Sequence, residues 1–156
     1  MRQLRRTAPL ETTALQVGGR SVVLPTLPEI LRIKAFLCLE RNATRDYLDL
    51  AALASHMGIE AAGEALWRMD ELYPQKNGDK WAVRTQLIKQ LAATPPFDLD
   101  SVDLSEYKGV APPFNSWDHV AAVCGKLSDW LLNACVQALR NDDSTSPADQ
   151  KARKSE

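Results

Sequence analysis

The segment from Leu27 to Arg41 most constrains how this chain can fold. It follows Thr26, a good capping residue, and carries Pro28 in its first turn, so it begins as an α-helix commonly does. When its residues are projected at about 100° each, apolar side chains cover almost the whole circumference, which is typical of a helix buried among others. We therefore expect a helical domain built around this segment, with Glu29 and Thr26 forming a capping box.

The remaining segments supply partners for that central helix. Two β-prone runs flank Gly18 and Gly19 and predict a hairpin, and apolar periodicity with turn signals predicts four further helices. Gly58 is expected to provide a left-handed C-terminal cap and Asp79 an N-terminal cap. The predicted fold class is mainly α, with about five helices and an N-terminal β-hairpin. The predicted spans are 14–17 and 21–24 for the strands and about 27–41, 44–57, 60–73, 79–93 and 116–140 for the helices.

Length and composition indicate a single globular domain. The 156 residues are 45% hydrophobic and 25% charged, close to an ordinary globular protein. We expect a flexible N-terminus over 1–13, one helical domain with its leading hairpin over 14–140, and a disordered tail over 141–156.

Charge and cysteine content exclude several classes of protein. The net charge of −1 does not indicate a polyanionic partner, and no apolar run approaches the ~20 residues of a spanning helix. Three cysteines without a CxxC pair, together with only two histidines, argue against a disulfide framework and a zinc finger. We expect a cytoplasmic protein without a membrane partner.

Four charged residues occupy positions where apolar ones are expected. Lys34 and Arg41 share one side of the central helix, and Asp46 and Asp49 lie on the apolar side of the next helix. Burying such groups is costly unless they find partners. Three interpretations follow: an interhelical ion-pair cluster, a cleft in which Lys34 binds an anion such as phosphate, or simple exposure to solvent.

The same residues carry a resemblance to a known family. The string has a Glu29-x-x-x-x-Lys34 helix, Arg41 seven residues later, and then Arg45-Asp46-x-x-Asp49-Leu50. It resembles the AbiEii/AbiGii-type nucleotidyltransferase toxin family. A weaker similarity to that family's C-terminal portion extends over about 14–136, which implies the C-terminal part of a polymerase-β-like nucleotidyltransferase.

This resemblance implies a toxin of a type IV toxin–antitoxin or abortive-infection pair. Lys34 would contact the nucleotide phosphates together with Arg41 and Arg45, Asp46 would be the catalytic acid, and Asp49 would support it. The cofactor would be Mg²⁺ bound with a nucleoside triphosphate. The implied partners are that nucleotide, an RNA acceptor and an antitoxin protein.

The sequence departs from the family upstream of Lys34. The D-x-D pair that binds metal is missing, since Glu11 is the only carboxylate before Glu29, and no residue is assigned as a metal ligand. The chain would then be a fragment of a larger enzyme, the partner of an N-terminal chain, or a remnant that serves binding, and it should be inactive alone. The hairpin edges suggest a homo-oligomer. The alternative function is a non-catalytic helical binding module with a structural Lys/Arg–Asp ion-pair cluster.

Overall fold

A computed structural model describes residues 6–75, 78–93 and 95–144. It is mainly helical, with an N-terminal antiparallel hairpin, five longer α-helices, one α-helix of a single turn and two 3-10 turns at Leu99–Ser101 and Leu104–Glu106, which confirms the predicted fold class. The strands are β1 (Thr12–Val17) and β2 (Arg20–Pro25). The helices are α1 (Leu27–Arg41), α2 (Thr44–Met57), α3 (Ile59–Trp67), α4 (Met69–Leu72), α5 (Val83–Ala93) and α6 (Trp117–Ser144).

The hairpin turns tightly at its two glycines. Gly18 and Gly19 have φ of 56° and 77°, and two successive positive φ angles are what a two-residue hairpin turn requires. The strands pair in a register that sets Leu15 opposite Val22. Every residue of β1 is exposed, as is all of β2 except Pro25, which is partly buried. The ribbon therefore projects from the helical body.

Helix α1 begins and ends as its sequence predicts. The Thr26 hydroxyl accepts from the Glu29 backbone N–H at 3.3 Å, and Asn42 closes the helix in a left-handed conformation with φ of 51°. Only half of the expected capping box forms. The Thr26 N–H donates to the Glu11 carbonyl, and the Glu29 carboxylate accepts from Arg6 instead of from Thr26. Leu31, Ala35 and Cys38 are fully buried, as expected of a central helix.

The helices form one hydrophobic core. Helices α1 and α6 each pack against α2, α3 and α5. Along α6, the predicted apolar stripe reaches the core through Val120, Cys124, Leu127 and Leu131. Since all of these side chains belong to one cluster with those of α1 and α2, the helical body is a single packed unit.

Two helix boundaries differ from the sequence predictions. The expected helix over 60–73 breaks at Arg68 into α3 and α4. The helix expected from Asp79 begins at Val83 instead, because a carboxylate oxygen of Asp70 on α4 accepts the Arg84 backbone N–H at 2.7 Å. A first-turn N–H of α5 is therefore satisfied by a side chain from another helix.

A third difference is the conformation of Gly58. Its φ of 86° and ψ of 143° lie outside the left-handed helical region expected for a C-terminal cap. This combination is close to a region that essentially only glycine adopts. A glycine is needed at this position, but for an extended connection between α2 and α3 rather than for the predicted cap.

The ends of the predicted domain are also built differently. Residues 6–11 are held to the body, since the Thr7 N–H donates to the Leu72 carbonyl at 2.9 Å. Helix α6 continues to Ser144, beyond the expected start of the tail at 141. The remainder of that predicted tail, 145–156, and residues 1–5 lie outside the described residues. Buried core positions on α6 end at Leu131, so its last three turns extend past the core with Leu132, Val136 and Leu139 exposed.

Helices α3 and α6 approach closely at Gly63. A Cβ added there would overlap the Trp130 ring. The indole N–H of Trp130 donates to Glu60 at 2.8 Å, which fixes the ring over the glycine. The absence of a side chain at position 63 therefore sets the distance between the two helices.

We expect Gly63→Ala to destabilise the fold by about 1–3 kcal/mol, because the methyl group overpacks against a fixed indole. Gly125→Ala is the matched control: Gly125 is also inside a helix, but nothing lies within 4 Å of the added Cβ. That change should stabilise the protein by about 0.5–1 kcal/mol through backbone entropy alone. Urea unfolding of both variants measures the difference, and equal effects at the two positions would contradict the packing argument.

Candidate functional site

Lys34 is paired within the chain. Its ammonium Nζ lies 2.6 Å from Oδ2 of Asp49, and the pair links α1 to α2. Both side chains are partly exposed, and a pair of this kind typically contributes less than about 1 kcal/mol. The cation expected to contact phosphate is thus neutralised by a neighbouring helix, as the ion-pair interpretation of the sequence proposed.

Asp46 is buried in the first turn of α2. Its Oδ2 atom accepts no hydrogen bond from the described part of the chain. Burial raises the pKa of Asp46 above its usual value, although the positive charges of Arg41 and Lys34 act in the opposite direction. The side chain is enclosed rather than presented to a ligand.

Arg41 and Arg45 lie on the surface. Both residues are exposed, one at the end of α1 and the other in the first turn of α2. Their charges reach Asp46 through space and partly offset the cost of its burial. The five predicted site residues are therefore neighbours, but they form one ion pair, one buried acid and two surface cations rather than an open cleft.

A more deeply buried charge cluster lies at the other end of α1. We call Arg6, Glu11, Glu29, Arg32 and Arg68 the Glu29 cluster. The Glu29 carboxylate is fully buried and is contacted by Arg6 at 2.6 and 2.8 Å and by Arg32 at 3.1 Å. Glu11 bridges outward, since it pairs with Arg32 at 2.8 Å and Arg68 at 3.0 Å. The cluster joins the N-terminal segment, α1 and the α3–α4 junction.

Sequence reasoning missed this cluster. It assigned Glu29 to a capping box and placed Arg6 in a flexible N-terminus, yet the Arg6 side chain is only 5% exposed. One signal was available: Glu29 and Arg32 are three residues apart on the central helix, so they are neighbours on its surface. The partner Arg6 could not be predicted in this way, because it belongs to a segment without helical or strand periodicity.

A neutral polar cluster fixes the corner between α1 and α2. The Tyr47 hydroxyl donates to the Asn42 side chain at 2.6 Å, and the Gln90 amide of α5 donates to the same two side chains. Asp98 accepts from the backbone and hydroxyl of Thr44, both at 2.7 Å. Burial acts to raise the pKa of Asp98, but these two hydrogen bonds outweigh it and lower the pKa.

Two of the three cysteines lie in the core. Cys38 and Cys124 are buried, and burial raises the pKa of both thiols, that of Cys124 to about 12. Such thiols are inert rather than nucleophilic. Within residues 6–75, 78–93 and 95–144, no group of three or more His, Cys, Asp or Glu side chains could hold a metal ion.

Two small cavities lie between helices in the described part of the chain. One of about 130 Å³ lies between α2, α5 and α6 and is lined by Tyr47, Leu91, Trp117 and Cys124. Another of about 250 Å³ lies between α1 and α5, next to Phe36 and Val83. Sites for drug-sized ligands are typically about 300–1,000 Å³. Neither cavity can enclose a nucleotide or a larger molecule.

The known proteins that are similar to this chain belong to a different family from the one that its charged residues implied. A heme uptake protein from Mycobacterium tuberculosis (strain ATCC 25618 / H37Rv) is 43% identical over 98 residues, which is 61% of this chain and 10% of the relative. The matched relatives are MmpL11 proteins. MmpL11 from Mycolicibacterium smegmatis, named a mycolic acid-containing lipids exporter, is 35% identical over 103 residues, 65% of this chain and 11% of its own.

A third relative extends the match along the chain. MmpL11 from Mycobacterium leprae, named a probable transport protein, is 30% identical over 121 residues, 77% of this chain and 12% of the relative. The chain thus spans about a tenth of the length of the MmpL11 proteins it matches. No protein-family model matches it. No solved structure matches it.

These relatives correct the family resemblance drawn from the sequence. The AbiEii/AbiGii-type nucleotidyltransferase assignment is wrong, and with it the toxin–antitoxin and abortive-infection functions, because the similar proteins are MmpL11 transport proteins. The catalytic and nucleotide-binding roles of Lys34, Asp46, Arg41, Arg45 and Asp49 were implied by that family, whereas the separate interpretation of Lys34 as an anion site came from its charge and position. The nucleotide, Mg²⁺, RNA and antitoxin partners lose their basis in the same way.

The MmpL11 similarity also raises the question of a membrane. Among the helices of the described residues, none combines the length and the apolar character needed to cross a bilayer. The longest of them, α6, has charged and polar side chains along its solvent side.

We expect Glu29→Gln to cost about 3–5 kcal/mol, because it removes the anion that neutralises two buried guanidinium groups while keeping the shape of the side chain. Glu71→Gln is the matched control: Glu71 pairs with Arg68 at an exposed position, where the loss should stay below about 1 kcal/mol. Thermal unfolding gives the two stabilities. Cleavage by trypsin near Arg6 would increase only in the first variant, and a small loss at Glu29 would contradict its central role.

We expect Asp46→Asn to stabilise the protein at neutral pH and to have less effect in acid. The pKa of Asp46 is raised by folding, so the folded state holds its proton more tightly than the unfolded chain. Wild-type stability is therefore favoured below the unfolded pKa of about 3.9 and falls as pH rises through the folded pKa. The gain from the substitution, measured by urea unfolding, should grow from pH about 3 to about 7, and a constant or shrinking gain would refute the assignment.

Proposed function

We propose that this chain is a helical module of an MmpL11-type transport protein. The observation that supports the proposal is 43% identity over 98 residues to a heme uptake MmpL11. A second MmpL11 relative is named an exporter of mycolic acid-containing lipids. Both activities move large, mainly apolar molecules, and we propose that the protein containing this module acts on cargo of that class.

The module itself is proposed to support transport rather than to hold the cargo. Its cavities of about 130 and 250 Å³ are too small to enclose heme or a mycolic acid-containing lipid. Its charged residues are used internally, since Glu29 links Arg6 and Arg32, and Lys34 pairs with Asp49. These contacts support a rigid body that docks to other parts of the transporter, and we retain for it the cytoplasmic location expected from the sequence.

We expect this chain to replace the matching segment of the Mycolicibacterium smegmatis exporter. The experiment compares three strains that carry the native exporter, a version without the segment, and a chimera containing this chain. Export of mycolic acid-containing lipids should be lost on deletion and restored in the chimera. A Gly63→Ala chimera controls for folding, because it should restore export less well than a Gly125→Ala chimera.

Two results would overturn the proposal. One is a chimera that accumulates to the native level but exports no lipid. The other is a deletion strain that exports normally, which would mean that the segment takes no part in transport.

A further inference from the structure

Two lysine side chains lie over the ring of Trp81. The ammonium Nζ of Lys80 is 5.0 Å from the centroid of that ring and the ammonium Nζ of Lys89 is 5.3 Å from it, both within the range of a cation–π contact. Trp81 is 44% exposed, and both lysines are exposed as well. We call Lys80, Trp81 and Lys89 the Trp81 patch. It presents one aromatic side chain and two positive charges to the solvent.

The backbone of Trp81 is held in place just before α5. The Gln86 side chain of α5 donates to the Trp81 carbonyl at 2.7 Å and to the Asp79 carboxylate at 3.3 Å. Val83, two residues after Trp81, is buried in the core. Lys89 lies further along α5, so the loop and the helix both contribute to the patch. The fold therefore holds the second lysine against the ring.

A second aromatic–cation pair on α5 provides a contrast. The guanidinium carbon of Arg84 lies 3.8 Å from the centroid of the Trp67 ring, but this cation also pairs with Asp70 at 3.3 Å and donates to the Trp67 carbonyl at 2.9 Å. Among the described residues, neither Lys80 nor Lys89 forms a comparable ion pair with a carboxylate. Their positive charges can therefore be matched by an anion from outside the chain.

The geometry of the patch favours a lipid headgroup over a nucleic acid. Single-stranded nucleic acids stack their bases on open aromatic rings, but two ammonium groups already lie over the Trp81 ring. Tryptophan is enriched at membrane interfaces, where its amphipathic ring sits among the headgroups and lysine side chains extend their ammonium groups to the polar layer. Since the whole chain has a net charge of −1, its attraction to an anionic surface is local to such a patch.

We propose that the Trp81 patch binds anionic phospholipid headgroups at a membrane surface. The Trp81 ring enters the headgroup layer, and the ammonium groups of Lys80 and Lys89 contact phosphate oxygens. This contact turns the start of α5 toward the bilayer and orients the module. The inference rests on the proposed transport function, which brings the module to a membrane. It replaces the expectation from the sequence that the chain has no membrane partner.

The test measures flotation of the full chain with vesicles of phosphatidylcholine, with and without phosphatidylglycerol, at low ionic strength. One variant carries Lys80→Gln and Lys89→Gln, and the control carries Lys108→Gln and Lys126→Gln. All four lysines are exposed, so both variants lose the same charge from surface positions. Wild type and control should bind the anionic vesicles only. The patch variant should bind them about 25-fold more weakly, which is about fivefold for each lysine.

Fluorescence quenching shows whether Trp81 itself meets the bilayer. Phospholipids brominated near the headgroup quench tryptophans that enter the interface. Wild-type fluorescence should contain a component that these anionic vesicles quench, and Trp81→Phe should lack it while keeping the helical circular dichroism spectrum of the wild type. Equal quenching in both proteins would overturn the placement of Trp81 in the headgroup layer.

Other results would overturn the proposal as a whole. These are a wild type that does not float with anionic vesicles, equal weakening by the two double variants, or tighter binding to a single-stranded oligonucleotide than to vesicles. Full displacement from vesicles by inorganic phosphate, but not by chloride at equal ionic strength, would indicate a free-phosphate site instead. The vesicle assay uses the chain without the transporter, so its failure would leave the lipid export of the chimera unaffected. Failure of the chimera would likewise leave vesicle binding standing.

Discussion

The fold depends on one fully buried carboxylate. Glu29 is contacted by Arg6 at 2.6 and 2.8 Å and by Arg32 at 3.1 Å, in the interior of a small domain. Removing such charges from water costs several kcal/mol for each ion, so the arrangement persists only while every member is present. The ion pairs of Glu29 therefore hold the N-terminal segment in one position, and this also fixes where the following hairpin begins.

The sequence predicted the elements whose signals are local. The bounds of α1 and α2 agree with the predicted spans, α1 begins at the predicted cap Thr26, and the two glycines predicted the hairpin turn. Features that depend on distant residues could not be predicted. Asp70, rather than the predicted Asp79, accepts a hydrogen bond at the start of α5. Arg6 pairs with Glu29, which lies 23 residues away in the sequence. Contacts between residues that are distant in the sequence leave no repeating pattern of residue types, so a single sequence does not reveal them.

The candidate site shows how a charged motif can mislead. The spacing of these charged residues, Glu29, Lys34, Arg41, Asp46 and Asp49, follows the nucleotidyltransferase pattern. Two packed helices that bury charged side chains also require opposite charges at regular spacing, so the same pattern can have a structural origin. Here Lys34 meets Asp49, and Asp46 is enclosed in the body. The sequence correctly located Lys34 and Asp49 on facing sides of two helices. It could not distinguish a partner within the chain from a partner in solution, which is a question of geometry.

The length of α6 has a consequence for motion. Its 28 residues span about 42 Å, and the last described residue of α6 that is buried is Leu131, so the final turns are more exposed to solvent than the first ones. Helices without packing are marginal in water. The first half of α6 can therefore open only with the whole protein, whereas the second half frays on its own at a small free-energy cost. A single helix thus joins persistent backbone in its first half to less persistent backbone in its second half.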